Sequence, residues 1–405
     1  MNEVERKHKI GPEFDRNCDH FDIAFEVPQV QRLRFTNNVF EEDISILTDL
    51  IEASGPAPAK VQIWVDDALR EPFEGKIHTM RARLDDRPHI SVIPEIKYVP
   101  GGEAVKQDSA LVEEMWCAFH EANLDRRSYV LVIGGGAVLD AVGYAAATAH
   151  RGIRIIRIPT TTLGQTDSGV GVKNAINFFD KKNWLGTFAT PWAVINDTSV
   201  LEKLPDRDFR CGFSEAVKVS LLKSRAQFEH LIANALHIRN REPSATQQAI
   251  KDSILLHLHH ITRNGDPFEA KIARPLDFGH WSAHKLEPMT NYELRHGEAV
   301  SIGVALDCLY SSRIYNLARE DAYRVVGCLT EIGLPTSHDL LSDKGVLFDG
   351  LEEFRQHLGG ELTVTMINAP GSPIDVHQID HDAMSDSIDE LLEISNGPNA
   401  IGHHA

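Results

Sequence analysis

The run Tyr129-Val-Leu-Val-Ile-Gly-Gly-Gly-Ala-Val-Leu-Asp140 joins five apolar residues to three glycines and then to a segment able to continue as a helix. A short apolar run closed by glycine reads as a strand buried on both faces, as strands of parallel sheets are. Glycines at the strand-to-helix turn let backbone N–H groups approach a phosphate, and the following helix N-terminus adds its positive dipole end. Gly135 and Gly136 are therefore candidate contacts for a dinucleotide pyrophosphate. The spacing departs from the usual G-x-G-x-x-G, and a plain tight turn is the alternative.

Reading outward, Val61–Val65, His89–Ile93, Ile153–Ile158 and Ala193–Ile195 are further β-branched runs, with helix-like segments at 109–122 and 137–150 between them. Alternation at this spacing predicts βαβ units and a parallel sheet. The strand at 153–158 ends in Pro159-Thr160-Thr161-Thr162, three hydroxyls where open parallel sheets bind ligands, although an N-cap run would look the same. From Leu204 the pattern turns to helical periodicity, at 213–234, 249–262, 298–312 and 321–332. The expected class is α/β: a polar extension over 1–20, a Rossmann-like parallel-sheet domain over 21–205, and a mostly helical domain over 206–405, divided at Leu204-Pro205.

The chain has 405 residues, more than one hydrophobic core usually organises. Its 41 basic and 59 acidic residues leave a net charge of −18, which repels polyanions and excludes nucleic acid as a natural partner. Five cysteines at long spacings (Cys18, Cys117, Cys211, Cys308, Cys328) form no framework and read as reduced thiols of a cytoplasmic protein. The start of the chain lacks the apolar core of a signal peptide, and the most apolar stretch, 129–149, carries Asp140, so no membrane segment is expected.

The helical half carries the ionisable residues. Cys211-Gly-Phe-Ser-Glu215-Ala-Val-Lys218 sets a carboxylate and an ammonium three apart, a spacing usual for surface ion pairs. His280 and His284 stand one helical turn apart, and His296-Gly-Glu298 follows a short polar loop, Pro288 to Arg295. Two imidazoles on one turn and a third across a loop can converge with a carboxylate on a divalent ion, leaving the open position that catalytic zinc requires. Spacing does not decide among His280, His284 and His296. His257, His259 and His260 point in different directions on a helix and read as solvated or packing residues. Arg151, Lys173, Lys182, Lys218 and Arg355, with Asn183, give a cationic set that on so acidic a chain suits a phosphorylated substrate, although Lys181-Lys182 would equally fit an exposed turn.

With these residues in view, the sequence resembles the dehydroquinate synthase-like sugar phosphate cyclases over roughly residues 60–380. The matching motifs are Gly102-Glu-Ala-Val-Lys106, Gly134-Gly-Gly136 with Asp140, Pro159 to Lys173, Lys182-Asn183, Leu204-Pro205, Gly212 to Lys218, Phe278-Gly-His280 with His284, and His296-Gly-Glu298. The resemblance implies NAD as cofactor and Zn2+ or Co2+ held by Glu215, His280 and His296, with His284 on the substrate side. It implies NAD contacts at Asp66, Glu103, Lys106, Gly135, Gly136, Asp140, Thr160, Thr161 and Lys182. It assigns substrate or phosphate to Asp167, Lys173, Asn183, Lys218 and Arg151, the last reaching the partner's site in a homodimer. Three departures bear on substrate. Dehydroquinate synthases hold the substrate carboxylate with an arginine where this chain has Ala273, and have asparagine where it has Asp277; their C-terminal Asp-Lys-Lys is missing, with Phe354 to Gly360 standing in that region. A pocket that loses a cation and gains an anion disfavours an acidic substrate. The stretch from Gly265 through Arg274 to Trp281 instead resembles the sedoheptulose 7-phosphate cyclases, the 2-epi-5-epi-valiolone synthases among them. Metal-dependent polyol dehydrogenases share the two-part plan, but carry a histidine four residues after the metal aspartate, where Val219 follows Glu215 here. A non-catalytic NAD-binding descendant is the remaining alternative.

Overall fold

A computed structural model describes residues 25–179, 181–263, 268, 275–357 and 360–396. Ala273, most of the stretch from Gly265 to Arg274, the 1–20 extension and the residues after 396 lie outside that set, as does part of Phe354 to Gly360. The chain forms two compact units, Met1–Val30 and Gln31–Ala405. Of the first, residues 25–30 are described and have no regular secondary structure.

In the second unit seven strands form one parallel sheet: β1 (Arg32–Thr36), β2 (Ala59–Asp66), β3 (Ile90–Val92), β4 (Lys97–Val99), β5 (Tyr129–Gly134), β6 (Arg154–Pro159) and, after a separate hairpin of β7 (Lys173–Phe178) and β8 (Lys181–Phe188), β9 (Ala193–Asp197). The order across the sheet is β1-β9-β6-β5-β2-β3, with β4 pairing the far end of β2. Helices α1 (Ile44–Thr48), α2 (Arg70–Asp85), α3 (Ala104–Gln107), α4 (Ser109–Glu121) and α5 (Gly136–Thr148) lie between the strands in sequence. Alternate residues explain the layers. Val61, Ile63, Val65, Leu131 and Ile133 face one core, while Trp64, Val130 and Val132 face a second, shared with α4 and α5. Strand order reverses between β2 and β5, which opens a crevice at their carboxyl ends where α/β sheets bind ligands.

Beyond β9 the chain is mainly helical: α6 (Asp206–Lys223), α7 (Arg225–Arg239), α8 (Pro243–Arg263), α9 (His280–Met289), α10 (His296–Ile314), α11 (Arg319–Ile332) and α12 (Lys344–His357), then a hairpin of β10 (Val364–Ala369) and β11 (Ser372–Val376), and α13 (His381–Asn396). The first core runs without a break from the sheet face into these helices. The segment at 213–234 is not one helix. Ser224 adopts extended backbone (φ −157°, ψ 104°) and its side chain accepts from the Gln227 N–H, which ends α6 and caps α7. Pro288 lies inside α9 rather than in the following loop. Lys181 and Lys182 belong to strand β8 rather than a turn. Among the described residues Cys117, Cys211, Cys308 and Cys328 are free thiols, and no helix is long and apolar enough to cross a membrane.

Candidate active site between the sheet edge and the helices

Three helices bring one carboxylate and two imidazoles together. Glu215 lies in the middle of α6, whereas His280 and His296 are the first residues of α9 and α10. The start of α10 sits directly on α6: a Cβ on Gly297 would stand 2.3 Å from the Cys211 carbonyl oxygen, so only glycine permits the approach. Nε2 of His280 is 3.7 Å and Nε2 of His296 is 3.8 Å from Glu215 Oε1. These separations exceed hydrogen-bond length, and Oε1, though buried, has no hydrogen-bond partner among the described residues. Ligand atoms about 2.0–2.2 Å from zinc stand about 3.4 Å apart in a tetrahedron, so the trio has the spacing and the unsatisfied acceptor that a divalent cation fits. His280 Nδ1 donates to the Phe278 carbonyl at 3.1 Å, the tautomer that leaves Nε2 as a lone-pair donor. Burial, with Lys218 nearby, pushes the His280 pKa well down, which keeps that lone pair free.

His284, Glu287 and His296 form a second group with metal-like spacing. Glu287 is already held by Lys182 Nζ at 3.1 Å, and that ammonium repels a cation there. His284 is exposed and lies beside the trio, its ring 5.3 Å from that of His280. Sequence reasoning did not single out Glu287. It is buried, 3.5 Å from His296 Nδ1, and orients that ring so that Nε2 faces Glu215. Burial alone would raise its pKa, but His296 and Lys182 hold it down to about 2. The available signal was its place one turn after His284 on an inward helix face.

Lys218 and Glu215 are not a surface pair. Both are almost fully buried, with Nζ 2.5 Å from Oε2. Burial works against the Lys218 charge, yet Glu215, Asp167 and Asp277 together raise its pKa. Asp167 projects from a one-turn π-helical segment, Gly164–Ser168. Burial would raise its pKa, but His257, with Nδ1 2.7 Å from Oδ1, and Lys218 hold it far below the usual carboxylate range. His257 is thus neither solvated nor simply packed. Its role depends on a contact between α8 and the π-turn that helical spacing does not reveal.

The sheet edge supplies the other wall. Asp66 ends β2 and accepts from the N–H groups of Ala68, at 3.0 Å, and Gly135, tying the two strands at the crevice. Gly135 caps α5 and Gly136 opens it. Thr160 is buried, and its N–H donates to the Gly134 carbonyl; Thr161 Oγ1 accepts from the Gly164 N–H. Lys106 and Asp140 pair with each other at 2.8 Å, so the lysine charge is already matched. Lys182 links the walls, reaching Glu103 at 3.7 Å as well as Glu287.

Other residues lie further out. Lys173 opens β7 and Asn183 lies on β8 with a left-handed backbone (φ 55°), its N–H donating to Asn177. Arg151 is exposed and precedes the amino end of β6, whereas Thr160 follows the carboxyl end of that strand. Arg355 does not join the cationic set; it pairs with Glu352 on its own helix at 2.5 Å. Glu298 stands outside the trio, accepting from the Arg295 N–H and pairing with Arg207 at 2.6 Å. Arg157, unremarked in sequence, is fully buried and donates to the carbonyls of Gly169 (3.1 Å) and Gly171 (2.8 Å) and to Asn174 Oδ1 (2.5 Å). It organises the loop between Asp167 and Lys173.

A parallel α/β sheet thus faces a helical region in which one carboxylate and two imidazoles converge. Residues 96–211 match the model of the 3-dehydroquinate synthase N-terminal region, and 212–351 that of the C-terminal region. The 3-dehydroquinate synthase of Halorhodospira halophila is 33% identical over 281 residues, 69% of this chain and 78% of that one. That of Geobacillus thermodenitrificans is 31% identical over 343 residues, 84% and 90% of the two chains. The chain belongs to the 3-dehydroquinate synthase family. Among solved structures, 2-epi-5-epi-valiolone synthase from Streptomyces hygroscopicus subsp. jinggangensis, with NAD+ and Zn2+ bound, superposes with a TM-score of 0.81 at 23% identity, covering 92% of this chain and 99% of that one. A 2-deoxy-scyllo-inosose synthase complexed with carbaglucose-6-phosphate, NAD+ and Co2+ follows at 0.74 and 22%, covering 88% and 96%. A probable glycerol dehydrogenase from Sinorhizobium meliloti gives 0.60 at 15%, covering 90% and 97%. At these identities the likeness is one of fold.

Proposed function

We propose that the protein is a sugar phosphate cyclase that converts sedoheptulose 7-phosphate to a C7 cyclitol, 2-epi-5-epi-valiolone or an epimer, with release of phosphate. The reading rests above all on Glu215, His280 and His296 converging beside buried Lys218, with the glycine turn and Thr160-Thr161 on the facing wall. The course is transient oxidation of a ring hydroxyl, elimination of phosphate, reduction, and intramolecular aldol closure. When bound, a divalent ion in the trio would acidify substrate hydroxyls, and NAD on the glycine turn would take and return one hydride.

The chain's own groups then divide the remaining work. Asp167, kept ionised by His257 and Lys218, accepts hydrogen bonds from substrate hydroxyls and fixes the sugar's orientation. Lys218 remains an ammonium and donates to an oxygen that gains negative charge. Lys173, Asn183 and His284 take the phosphate end, and the departing phosphate oxygens serve as the base for the adjacent proton. Because Arg151 precedes the amino end of β6, whereas Thr160 follows its carboxyl end, its contribution requires a second copy, and a homodimer is part of the proposal. Glu103, Lys182 and the Lys106–Asp140 pair border the cofactor. Asp277 faces Lys218 closely enough to raise its pKa, a negative group that disfavours a substrate carboxylate and favours a neutral-tailed sugar phosphate.

The curated relatives bear the name 3-dehydroquinate synthase, which favours an acidic substrate as the second reading. Metal-loaded protein with NAD is incubated with sedoheptulose 7-phosphate, phosphate release is followed, and the product is identified by NMR. A parallel incubation uses the acidic seven-carbon substrate of dehydroquinate synthase. Turnover of the neutral sugar alone is expected. Turnover of the acid alone would replace this reading with the second.

A further inference from the structure

Asp307 lies in the interior of α10 with no exposed surface. One of its oxygens accepts from the Gly279 N–H at 3.0 Å, and the other from Trp281 Nε1–H at 2.9 Å. Those donors belong to the residues on either side of His280. A fully buried carboxylate with two neutral donors and, among the described residues, no bonded cation is a costly feature to keep in a core. Placing alanine there would spare the fold that desolvation.

The neighbouring contacts show what the carboxylate holds. Gly279 has a left-handed backbone (φ 77°), and a Cβ on Gly303 would stand 1.9 Å from its carbonyl oxygen, so the turn before α9 is pressed onto α10. Phe278, in the same turn, is fully buried and presents its carbonyl to His280 Nδ1. Movement of residues 278–281 would rotate that carbonyl and swing Nε2 away from Glu215. Asp307 spans the turn from both ends, and it does so from the helix whose first residue is His296.

We propose that Asp307 is a positioning residue that fixes the ring direction of His280, with Trp281 as its second anchor, so that His280 and His296 are set by one rigid element. This rests on the reading of Glu215, His280 and His296 as ligands. The purified protein, freed of metal, is titrated with Co2+, and affinity and visible absorption bands are measured for the parent, Asp307→Asn, Trp281→Phe, their double variant and Glu215→Ala. Metal-free thermal unfolding is recorded for each. Asp307→Asn is expected to weaken Co2+ binding by about 10–100-fold and alter the bands, the scale usual for groups that orient metal ligands. Trp281→Phe should produce a smaller change in the same direction, and the double variant should lose less than the product of the two. Parent-like affinity and bands in Asp307→Asn and Trp281→Phe would overturn the inference, whatever happens to unfolding temperature. If Asp307→Asn does not fold, Trp281→Phe decides by the same criteria. If Glu215→Ala binds Co2+ as the parent does, the ligand reading itself fails, an outcome distinct from loss of the positioning role.

Discussion

Along the sheet edge, polar groups are matched to one another: Asp66 takes the N–H groups of Ala68 and Gly135, and Lys106 pairs with Asp140. On the helical side, Glu215 keeps a buried carboxylate oxygen with no hydrogen-bond donor among the described residues, and two imidazoles stop short of it. The first wall is stable as it stands and offers backbone and hydroxyls to a ligand. The second pairs its buried carboxylate with Lys218 through one oxygen and leaves the other as an acceptor that a cation would fit. The two walls should therefore respond separately to mutation and to ligand removal.

The sharpest separation is expected from Glu215→Ala. It should abolish stoichiometric metal retention and turnover while leaving NAD affinity largely intact, read by metal analysis, phosphate release and NAD titration. Loss of NAD binding in step with metal would show that the walls are not independent. The reciprocal change is Gly135→Val. The backbone there (φ −73°, ψ 172°) accepts valine, but the new Cβ meets the Thr161 methyl at 3.3 Å and covers the turn. NAD affinity should fall about tenfold or more, on the order of 1.4 kcal/mol, with metal content unchanged.

How much of each wall could be read in advance follows from the range of its interactions. The glycine turn, the threonines and the main strands are local, carried by period and by residues of special backbone freedom, and they stand where the sequence places them. Two strands of the sheet, β1 and β4, were less legible: β1, at Arg32–Thr36, alternates arginine with apolar residues and gains its place by pairing with β9, where Arg32 lies opposite Ala193. On the helical wall, the grouping of Glu215 with His280 and His296 came from motif resemblance rather than spacing, which left three histidines equivalent. His257, Glu287 and Asp307 were not read as site residues because each acts through a tertiary contact, with Asp167, with His296 and Lys182, and with Gly279 and Trp281 respectively, that its own stretch of sequence does not specify.

Arg157 tests the link between the walls, since its guanidinium holds the loop that leads from Asp167 to Lys173. Burial lowers its pKa to about 10, so it stays protonated near neutrality. Arg157→Met would keep the volume but leave the Gly169 and Gly171 carbonyls and Asn174 without this donor. A loss of about 3 kcal/mol in urea unfolding is expected, with turnover falling more than Co2+ affinity. Equal loss of both would mean that the loop also supports the trio.

The smallest effect concerns the pH dependence of the metal-free fold. Burial raises the Asp307 pKa to about 7, against the pull of Trp281 and Gly279, from an unfolded value of 3.8. Between those values the folded chain holds a proton that the unfolded chain releases, so this group makes stability fall as pH rises, with the full cost present above about 7 and absent below about 4. Asp307→Asn removes the titration. Relative to the parent, the variant should gain stability from pH 5 to pH 8, by at most about 3 kcal/mol and by less where water enters the site. Urea unfolding of both proteins across that range measures the difference. A constant difference would mean that the carboxylate is hydrated in solution and carries no desolvation cost in the fold.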